Sequence, residues 1–406
     1  MTRLTIERLG HHGDGIAPGP VFVPRTLPGE VVEGDILGTA MPQPKIVTPS
    51  SDRVKPPCRH AGACGGCQLQ HASDQFVADW KIGMVRHALS AHGLDVVPRR
   101  IVTSPPSTRR RAGFSAKRTK KGAMAGFHKR GADVIVEVPD CLLVDPAIAA
   151  ALPMVEALAI AGTSRKAELS VMVTTSLMGL DVAVSGGKEV DPQLQMQIAA
   201  IAEKFDLARL SWGDEISLNR RPAEQIFGSV RVVPPSGAFL QATPEGEAAL
   251  RGAVSEAVGN AARIVDLFAG CGTFALPLAE KAAVHAVEGD AEMMKALDAG
   301  WRKSQGLRAV THATRDLFRN PLDAAELKGF DAAVIDPPRA GAQAQVAELA
   351  KSGIPVIAHV SCNPVTFARD AKLLVDAGYQ LDWLDVVDQF RWSTHVELVA
   401  AFSLEN

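Results

Sequence analysis

The stretch "ARIVDLFAGCGTFALPLAEKAAVHAVEGD", residues 262–290, decides the fold class. An apolar run enters a glycine turn, a helical segment follows, and a second apolar run ends in acidic residues. Two more apolar runs, "FDAAVIDPP" at 330–338 and "IPVIAHVSC" at 354–362, continue the pattern. Strands that alternate with helices in this way predict an α/β domain with a parallel sheet, whose ligands bind at the carboxyl ends of the strands.

The rest of the chain predicts two further domains. Residues 1–52 alternate apolar and polar positions between glycines and prolines, which is typical of a small β-barrel. Residues 53–235 mix strand and helix patterns and predict a central α+β domain, with a helix over 73–92 that could pack on the catalytic domain. The α/β domain spans 236–406, and its last segment, "HVELVAAFS" at 395–403, is predicted to be an edge strand.

Composition and charge narrow the function classes. The chain of 406 residues is 47% hydrophobic and 22% charged, which is typical of a soluble globular protein. We find no secretory signal and no run that could span a bilayer, so we expect a cytoplasmic protein without a membrane partner and without an obligatory protein partner. Thiols stay reduced in the cytoplasm, so the six cysteines are candidates for ligands, nucleophiles or core packing.

Positive charge is concentrated in one segment. The net charge is 43 − 45 = −2, yet residues 107–132 hold nine Lys or Arg and no acid. Such a run is either a solvated loop or a phosphate-binding surface.

The glycine turn fits two classes of cofactor. The pattern Gly-x-Gly-x-x-Ala begins at Gly270, directly after a strand. Glu288 lies 18 residues beyond Gly270, at the end of the next strand, where a carboxylate can accept hydrogen bonds from the ribose hydroxyls of any adenosine. A nicotinamide dinucleotide would satisfy this pattern. Asp266 favours S-adenosylmethionine, because a carboxylate at that strand end suits a cationic amino-acid group better than a pyrophosphate.

Asp336 and Cys362 follow two later strands and should reach the same crevice. Asp336 begins "DPPR", which is either a methyltransferase acid near the reacting group or a helix-capping turn. Cys362 is either a small core residue or a nucleophile. C5 of a uracil ring is too weak a nucleophile for methylation, but a thiolate that adds at C6 makes C5 electron-rich. A base must then remove the C5 proton, and Glu397 is the leading candidate.

Four motifs together carry a family resemblance. "VDLFAGCGTF" at 265–274, "DPPR" at 336–339, "SCNPVTFARD" at 361–370 and "HVE" at 395–397 resemble the RNA uracil-5-methyltransferases, of the type that modifies 23S ribosomal RNA. The resemblance implies a Rossmann-like class I methyltransferase domain and the cofactor S-adenosyl-L-methionine. It also implies that Cys362 is the nucleophile, that Glu397 is the base, and that a uridine flips out of its RNA to meet them.

The same resemblance implies a set of cofactor contacts. Thr273 and Asp316 stand where the family often has asparagine, so these two positions depart from its pattern. The implied contacts are Gln241, Phe268, Thr273, Glu288, Asp316 and Asp336.

The remaining features also match this family. Cys58, Cys64, Cys67 and Cys141 resemble its [4Fe–4S] ligand set, although four thiolates could equally hold zinc. The N-terminal barrel resembles a shortened TRAM domain, an RNA-binding OB-like barrel. This barrel and the cluster favour ribosomal RNA over tRNA as the substrate, and the basic run would contact phosphates. The competing interpretations are a tRNA uridine-C5 methyltransferase, a non-catalytic RNA-binding protein and a nicotinamide-dependent oxidoreductase.

Overall fold

The N-terminal unit is built from six short strands. The computed structural model describes residues 1–214 and 216–404. The strands pair as two three-stranded sheets, β1-β5-β6 and β2-β3-β4. Alternate side chains, such as Val21 and Val23, point into a small apolar core that also holds Val32. The six strands are β1 (Thr2–Thr5), β2 (Arg8–Leu9), β3 (Asp14–Ala17), β4 (Val21–Pro24), β5 (Val31–Gly34) and β6 (Lys45–Thr48).

Helix α1 (Asp74–Ser90) connects this unit to the C-terminal domain. The Ser73 hydroxyl accepts a hydrogen bond from the Phe76 amide and begins the helix. The helix packs on the C-terminal core, as its apolar pattern allows, and Lys81 on the same face donates a 2.6 Å hydrogen bond to Asp388 Oδ1. The buried positions recur every four residues: Val77, Lys81, Val85 and Leu89.

The central unit contains one seven-stranded sheet with helices on it. Its strand order is β10-β9-β8-β11-β12-β13-β14, and every neighbouring pair is antiparallel except β12 and β13. The preceding strand β7 (Ile101–Thr103) belongs to another sheet. The elements of the unit are β8 (Arg111–Arg118), β9 (Ala123–His128), β10 (Ile135–Val136), α2 (Pro146–Ala149), α3 (Leu152–Gly162), β11 (Glu168–Ser176), β12 (Gly179–Ser185), α4 (Pro192–Lys204), β13 (Arg209–Trp212) and β14 (Ile216–Asn219).

The C-terminal domain alternates strands and helices around a buried sheet. A separate hairpin of β15 (Gln225–Phe227) and β16 (Val230–Val232) precedes it. Its elements are α5 (Pro244–Val258), β17 (Arg263–Leu267), α6 (Ala275–Leu278), β18 (Ala283–Glu288), α7 (Ala291–Lys303), β19 (Val310–Thr314), β20 (Ala332–Ile335), α8 (Gln343–Ser352), β21 (Val356–Ser361), α9 (Pro364–Asp376), β22 (Tyr379–Asp388) and β23 (Glu397–Leu404).

The order of this sheet is β19-β18-β17-β20-β21-β23-β22-β7. Strand β17 lies between β18 and β20, so the chain reverses its winding there, at the position where α/β sheets bind ligands. The edge-strand prediction for 395–403 is wrong: β23 lies inside the sheet, and residues 397–402 are all buried. Strand β7, from the predicted central domain, takes the edge instead by pairing with β22. None of the helices that the structure describes is long and apolar enough to cross a membrane.

Candidate active site

Five functional side chains lie at one end of the C-terminal sheet. Four of them lie in or directly after parallel strands, whose carboxyl ends meet at one edge of the sheet. Glu397 comes from β23, which runs antiparallel and therefore begins where β21 ends. The residues are Asp266 in β17, Glu288 at the end of β18, Asp336 after β20, Cys362 after β21 and Glu397 at the start of β23.

The pairing of β21 with β23 places the thiol next to the carboxyl group. The last paired residues are Ser361 and Leu398. One step further along this antiparallel register come Cys362 and Glu397. A sheet register is a fixed feature of the fold, because a slip by one residue would turn buried side chains outward. The backbone therefore brings the predicted nucleophile and the predicted base together.

Cys362 lies in surroundings that oppose ionisation. Burial raises the pKa of its thiol to about 12, and the nearby carboxyl groups of Glu397 and Asp336 add to this effect. The Arg339 guanidinium acts in the opposite direction and lowers the pKa of the thiol. The resting cysteine is therefore held as a neutral thiol at neutral pH, and positive charge near it would favour the thiolate.

Glu397 and Asp336 both have raised pKa values. The Glu397 side chain is buried, and this burial, together with the charge of Asp336, raises its pKa well above the ordinary value. Burial also raises the pKa of Asp336 to about 7. A raised pKa makes a carboxylate a stronger base, which suits a group that must remove a proton from carbon.

A pair of buried glutamines joins these acids. Gln241 Nε2 donates to Asp336 Oδ2 at 3.3 Å. Gln389 Nε2 donates to Gln241 Oε1 at 2.6 Å, and Gln389 Oε1 accepts from the Ala242 amide at 2.7 Å. A hydrogen bond from Gln389 also counteracts the raised pKa of Glu397. Sequence analysis missed Gln389, which directly follows β22 and lies eight residues before Glu397.

Asp266 is a buried carboxyl group with few stabilising contacts. It has no accessible surface, and within the described chain neither of its oxygens has a hydrogen bond of normal geometry. Burial first, and the charge of Asp336 second, raise its pKa well above the ordinary value, while the Ala275 amide offsets this only in part. Such a group suits a cationic ligand, since a positive charge would offset the cost of burying the carboxylate.

The glycine turn holds Glu288 through backbone amides. Gly270 donates to Glu288 Oε2 at 3.1 Å, while Gly289 and Asp290 donate to Oε1 at 2.6 and 3.1 Å. The turn needs unusual backbone angles, with φ of +56° at Gly270 and +95° at Gly272, which glycine adopts without a Cβ clash. A carboxylate has about four acceptor positions, so Glu288 retains room for a ligand hydroxyl.

Phe268 and Asp316 both contact Phe318 beside this turn. Phe268 has φ of +62°, and its ring lies 5.3 Å from the ring of Phe318. Asp316 Oδ1 accepts from the Phe318 amide at 3.0 Å and so fixes the turn that carries this ring. Thr273 lies in the glycine turn just before α6. The structure thus brings all six predicted cofactor residues to the carboxyl ends of β17 to β20 or to the adjoining Gln241 segment.

Four cysteines gather in a different part of the molecule. Cys58, Cys64, Cys67 and Cys141 line one small cavity together with Phe127 and other apolar residues. Burial raises the pKa of Cys67 to about 12 and also raises the pKa of Cys64. Over residues 1–214 and 216–404, however, no group of three or more His, Cys, Asp or Glu side chains has the arrangement of a metal site. The [4Fe–4S] cluster and its zinc alternative therefore stay predictions.

Several cations of the basic run form ion pairs with acidic residues of the same chain. Arg110 pairs with Glu247, and Arg130 Nη1 lies 2.8 Å from Asp14 Oδ1 in the N-terminal unit. Lys117 lies 3.4 Å from Glu168. Arg110 and Arg130 therefore join the central unit to the other two, while Lys117 pairs within the central sheet. Those that remain exposed without such a role here are Arg118, Lys120, Lys121 and Lys129.

Comparisons with known proteins place the chain in a family. The family model for tRNA (uracil-5-)-methyltransferases matches residues 236–403. A protein of Rhizobium meliloti (strain 1021) named as an uncharacterised RNA methyltransferase is 45% identical, over 98% of both chains. The 23S rRNA (uracil(1939)-C(5))-methyltransferase RlmD of Nitrosococcus oceani is 30% identical, over 98% of this chain and 95% of that one.

A solved structure agrees with the fold. The Pyrococcus abyssi tRNA (uracil-54, C5)-methyltransferase in complex with S-adenosyl-L-homocysteine superposes with a TM-score of 0.76 and 24% identity, and covers 98% of this chain and 99% of that one. The similarity confirms the class I methyltransferase fold. The chain belongs to the S-adenosylmethionine-dependent RNA (uracil-5-)-methyltransferases.

Proposed function

We propose that this enzyme methylates C5 of a uridine in 23S ribosomal RNA, with Cys362 as the nucleophile and Glu397 as the base. The observation that carries the mechanism is the β21–β23 register, which puts these two side chains side by side. The 30% identity to RlmD over nearly the whole chain supports ribosomal RNA as the substrate. The uridine would have to leave its stack, because neither ring face of a stacked base is open to a thiolate.

The chemistry begins at the thiol. The Cys362 thiol gives its proton to solvent in the adjoining groove, and the thiolate sulfur forms a bond to C6 of the uracil ring, which moves the electrons of the C5–C6 double bond toward C5 and O4. The thiolate that leaves at the end of the reaction takes a proton back from solvent. S-adenosylmethionine, when bound, supplies an electrophilic methyl group to C5. The adduct then carries both the methyl group and the original hydrogen at C5.

Glu397 completes the reaction. Its carboxylate takes the C5 proton, the electron pair re-forms the C5–C6 double bond, and the Cys362 sulfur leaves as a thiolate. The raised pKa of Glu397 makes it a stronger base than an exposed glutamate.

The cofactor residues have chemically matched roles. Asp266 would bind the cationic amino-acid end of S-adenosylmethionine, and Glu288 would accept hydrogen bonds from the ribose hydroxyls. Asp336 is close enough to both Asp266 and Cys362 to raise their pKa values, and Gln241 donates a hydrogen bond to it, so these two residues would lie near the reacting methyl group. Phe268, Thr273 and Asp316 would shape the adenosine pocket; the list of proposed contacts is thus Gln241, Phe268, Thr273, Glu288, Asp316 and Asp336.

The test uses labelled methyl donor with unmodified 23S rRNA and, separately, unmodified tRNA. We expect label in 5-methyluridine of the ribosomal RNA; label in tRNA alone would assign the enzyme to the tRNA branch. RNA with 5-fluorouridine at the target should form an adduct that survives denaturing electrophoresis, because fluorine cannot leave C5 as a proton does. No adduct with wild type, or an adduct with Cys362→Ser, would refute the role of Cys362.

We also propose that Cys58, Cys64, Cys67 and Cys141 hold a [4Fe–4S] cluster. The convergence of four thiols on one cavity with apolar walls supports this proposal. Methyl transfer moves no net electrons, so the group would stabilise the central unit or position RNA. Anaerobically purified protein should absorb near about 400 nm and contain iron. Stoichiometric zinc without that absorbance would assign the cavity to zinc.

A further inference from the structure

A groove of about 1000 Å³ leads away from Cys362 across three parts of the chain. One wall is the end of β2 and the turn after it, residues 8–12. The other wall is formed by one face of α1 from residue 80 onward and by the turn after it, up to residue 92. The floor near the thiol consists of residues 362–365 and 394–396. The N-terminal unit therefore reaches the active site through this groove.

The charge of the groove differs from that of the whole chain. Asp and Glu number 45 among 406 residues, so about two would be expected among its 20 lining residues, yet none of these is acidic. Arg8 and Arg339 supply fixed positive charge. Five of the chain's 11 histidines also line it: His11, His12, His87, His92 and His395. A wall of this kind attracts polyanions and does not repel phosphate anywhere along its length.

Apolar side chains lie between these polar groups. Trp80 and Met84 of α1 face the groove, and the Trp80 indole nitrogen donates to the Leu9 carbonyl at 3.4 Å, which holds the two walls together. Val365 stands at the rim, three residues after the thiol, with 66% of its surface exposed. Flat apolar surface next to cations is what unpaired nucleotides require, since their bases stack while their phosphates pair with charge.

We propose that this groove binds the unpaired RNA strand adjoining the target uridine, with its backbone near Arg8 and its bases against Trp80 and Met84. The proposal rests on the proposed function and adds the path of the substrate to it. An RNA duplex would present mainly phosphates and 2′-hydroxyls, for which the apolar wall offers no partner. The groove also contrasts with the basic run, whose cations do not line it and are partly paired within the chain.

The experiment compares two variants that remove exposed cationic or imidazole groups from different surfaces. The groove variant is Arg8→Gln with His87→Gln, and the matched control is Arg118→Gln with Lys121→Gln; all four side chains are exposed. Equilibrium binding is measured with a single-stranded RNA that contains the target uridine and with the same RNA annealed to its complement. Single-turnover methylation at saturating RNA is measured in parallel.

We expect the groove variant to bind the single strand about tenfold more weakly and to lose about 0.7 from the salt slope for each phosphate contact removed. Its single-turnover rate at saturating RNA should stay at the wild-type value, and the control should bind like wild type. Equal affinity for strand and duplex, or a loss confined to the control variant, would overturn the proposal. RNA binding is measured separately from methylation. A wild-type protein that binds the single strand but forms no 5-methyluridine would therefore refute the proposed function and leave the groove proposal standing.

Discussion

The reactivity of Cys362 toward an alkylating reagent is the sharpest test of the site's electrostatics. Only the thiolate reacts, so the rate follows the ionised fraction. Burial and two carboxyl groups raise the pKa of this thiol from 9.0 to about 12. At neutral pH the ionised fraction, and with it the rate, should therefore be about 10³-fold lower than for an unperturbed thiol.

The assay is iodoacetamide labelling of the free enzyme, followed by mass spectrometry of the peptide that contains Cys362. The rate should rise about tenfold for each pH unit between about pH 7 and pH 10 without levelling off, because the thiol pKa lies above that window. An ordinary thiol would level off above about pH 9, so levelling off at or below about pH 10 would refute the account of this site.

Two variants give opposite expectations in the same assay. Glu397→Gln removes a negative charge that opposes the thiolate, so labelling at fixed pH should become faster. Arg339→Gln removes the positive charge that favours the thiolate, so labelling should become slower. Because the two replacements remove charges of opposite sign, a change of the same sign in both would point to altered access instead of altered charge.

Three further predictions concern catalysis and the cofactor. In Glu397→Gln, RNA that carries the methyl group should stay attached to the enzyme in denaturing gels, because no base removes the C5 proton; turnover at the wild-type rate would exclude Glu397 as the base. In Gln389→Leu, S-adenosylmethionine should bind more weakly in calorimetry, since the Gln241 amide loses the donor that orients it, a change of about 1–3 kcal/mol; unchanged affinity would leave Gln389 a packing role. Iodoacetamide should label the Cys362 thiol faster with S-adenosylmethionine bound than with S-adenosylhomocysteine bound, because only the former carries a sulfonium charge. Equal labelling rates would show that the charge of the cofactor does not change the ionisation of the thiol.

The C-terminal domain could be predicted from the sequence because its signals are local. Each parallel strand is a short apolar run, and the functional residue lies at the end of that run or follows it at once, as with Asp336 and Cys362. Residues that close such strands must meet at one edge, whatever the loops between them do. The position of Glu397 was harder to predict, because its place beside Cys362 depends on β23 inserting between β21 and β22.

The features that sequence analysis missed all depend on contacts between distant segments. From its residues the basic run is either a solvated loop or a phosphate-binding surface, and neither interpretation includes the ion pairs of Arg110 and Arg130. Their partners, Glu247 and Asp14, lie in other units more than 100 residues away. The groove beside Cys362 likewise combines the N-terminal turn with α1. No local pattern in the sequence predicts these ion pairs or this groove, because charge complementarity and concave shape arise only when separate units pack.

The two sides of the active site carry opposite charge, and this separation suits the two substrates. S-adenosylmethionine is cationic at the groups near its reacting methyl, and the structure presents Asp266, Asp336 and Glu397 with raised pKa values and few counter-ions. RNA is a polyanion, and the groove on the other side of Cys362 contains no acid among its described lining residues. Burial, with the charges of Glu397 and Asp336 adding to it, keeps the thiol protonated in the resting enzyme, and a bound cation would offset the effect of the acids. We therefore expect activation of Cys362, the proposed nucleophile, to depend on the bound methyl donor, so that an RNA adduct forms chiefly when it can be methylated.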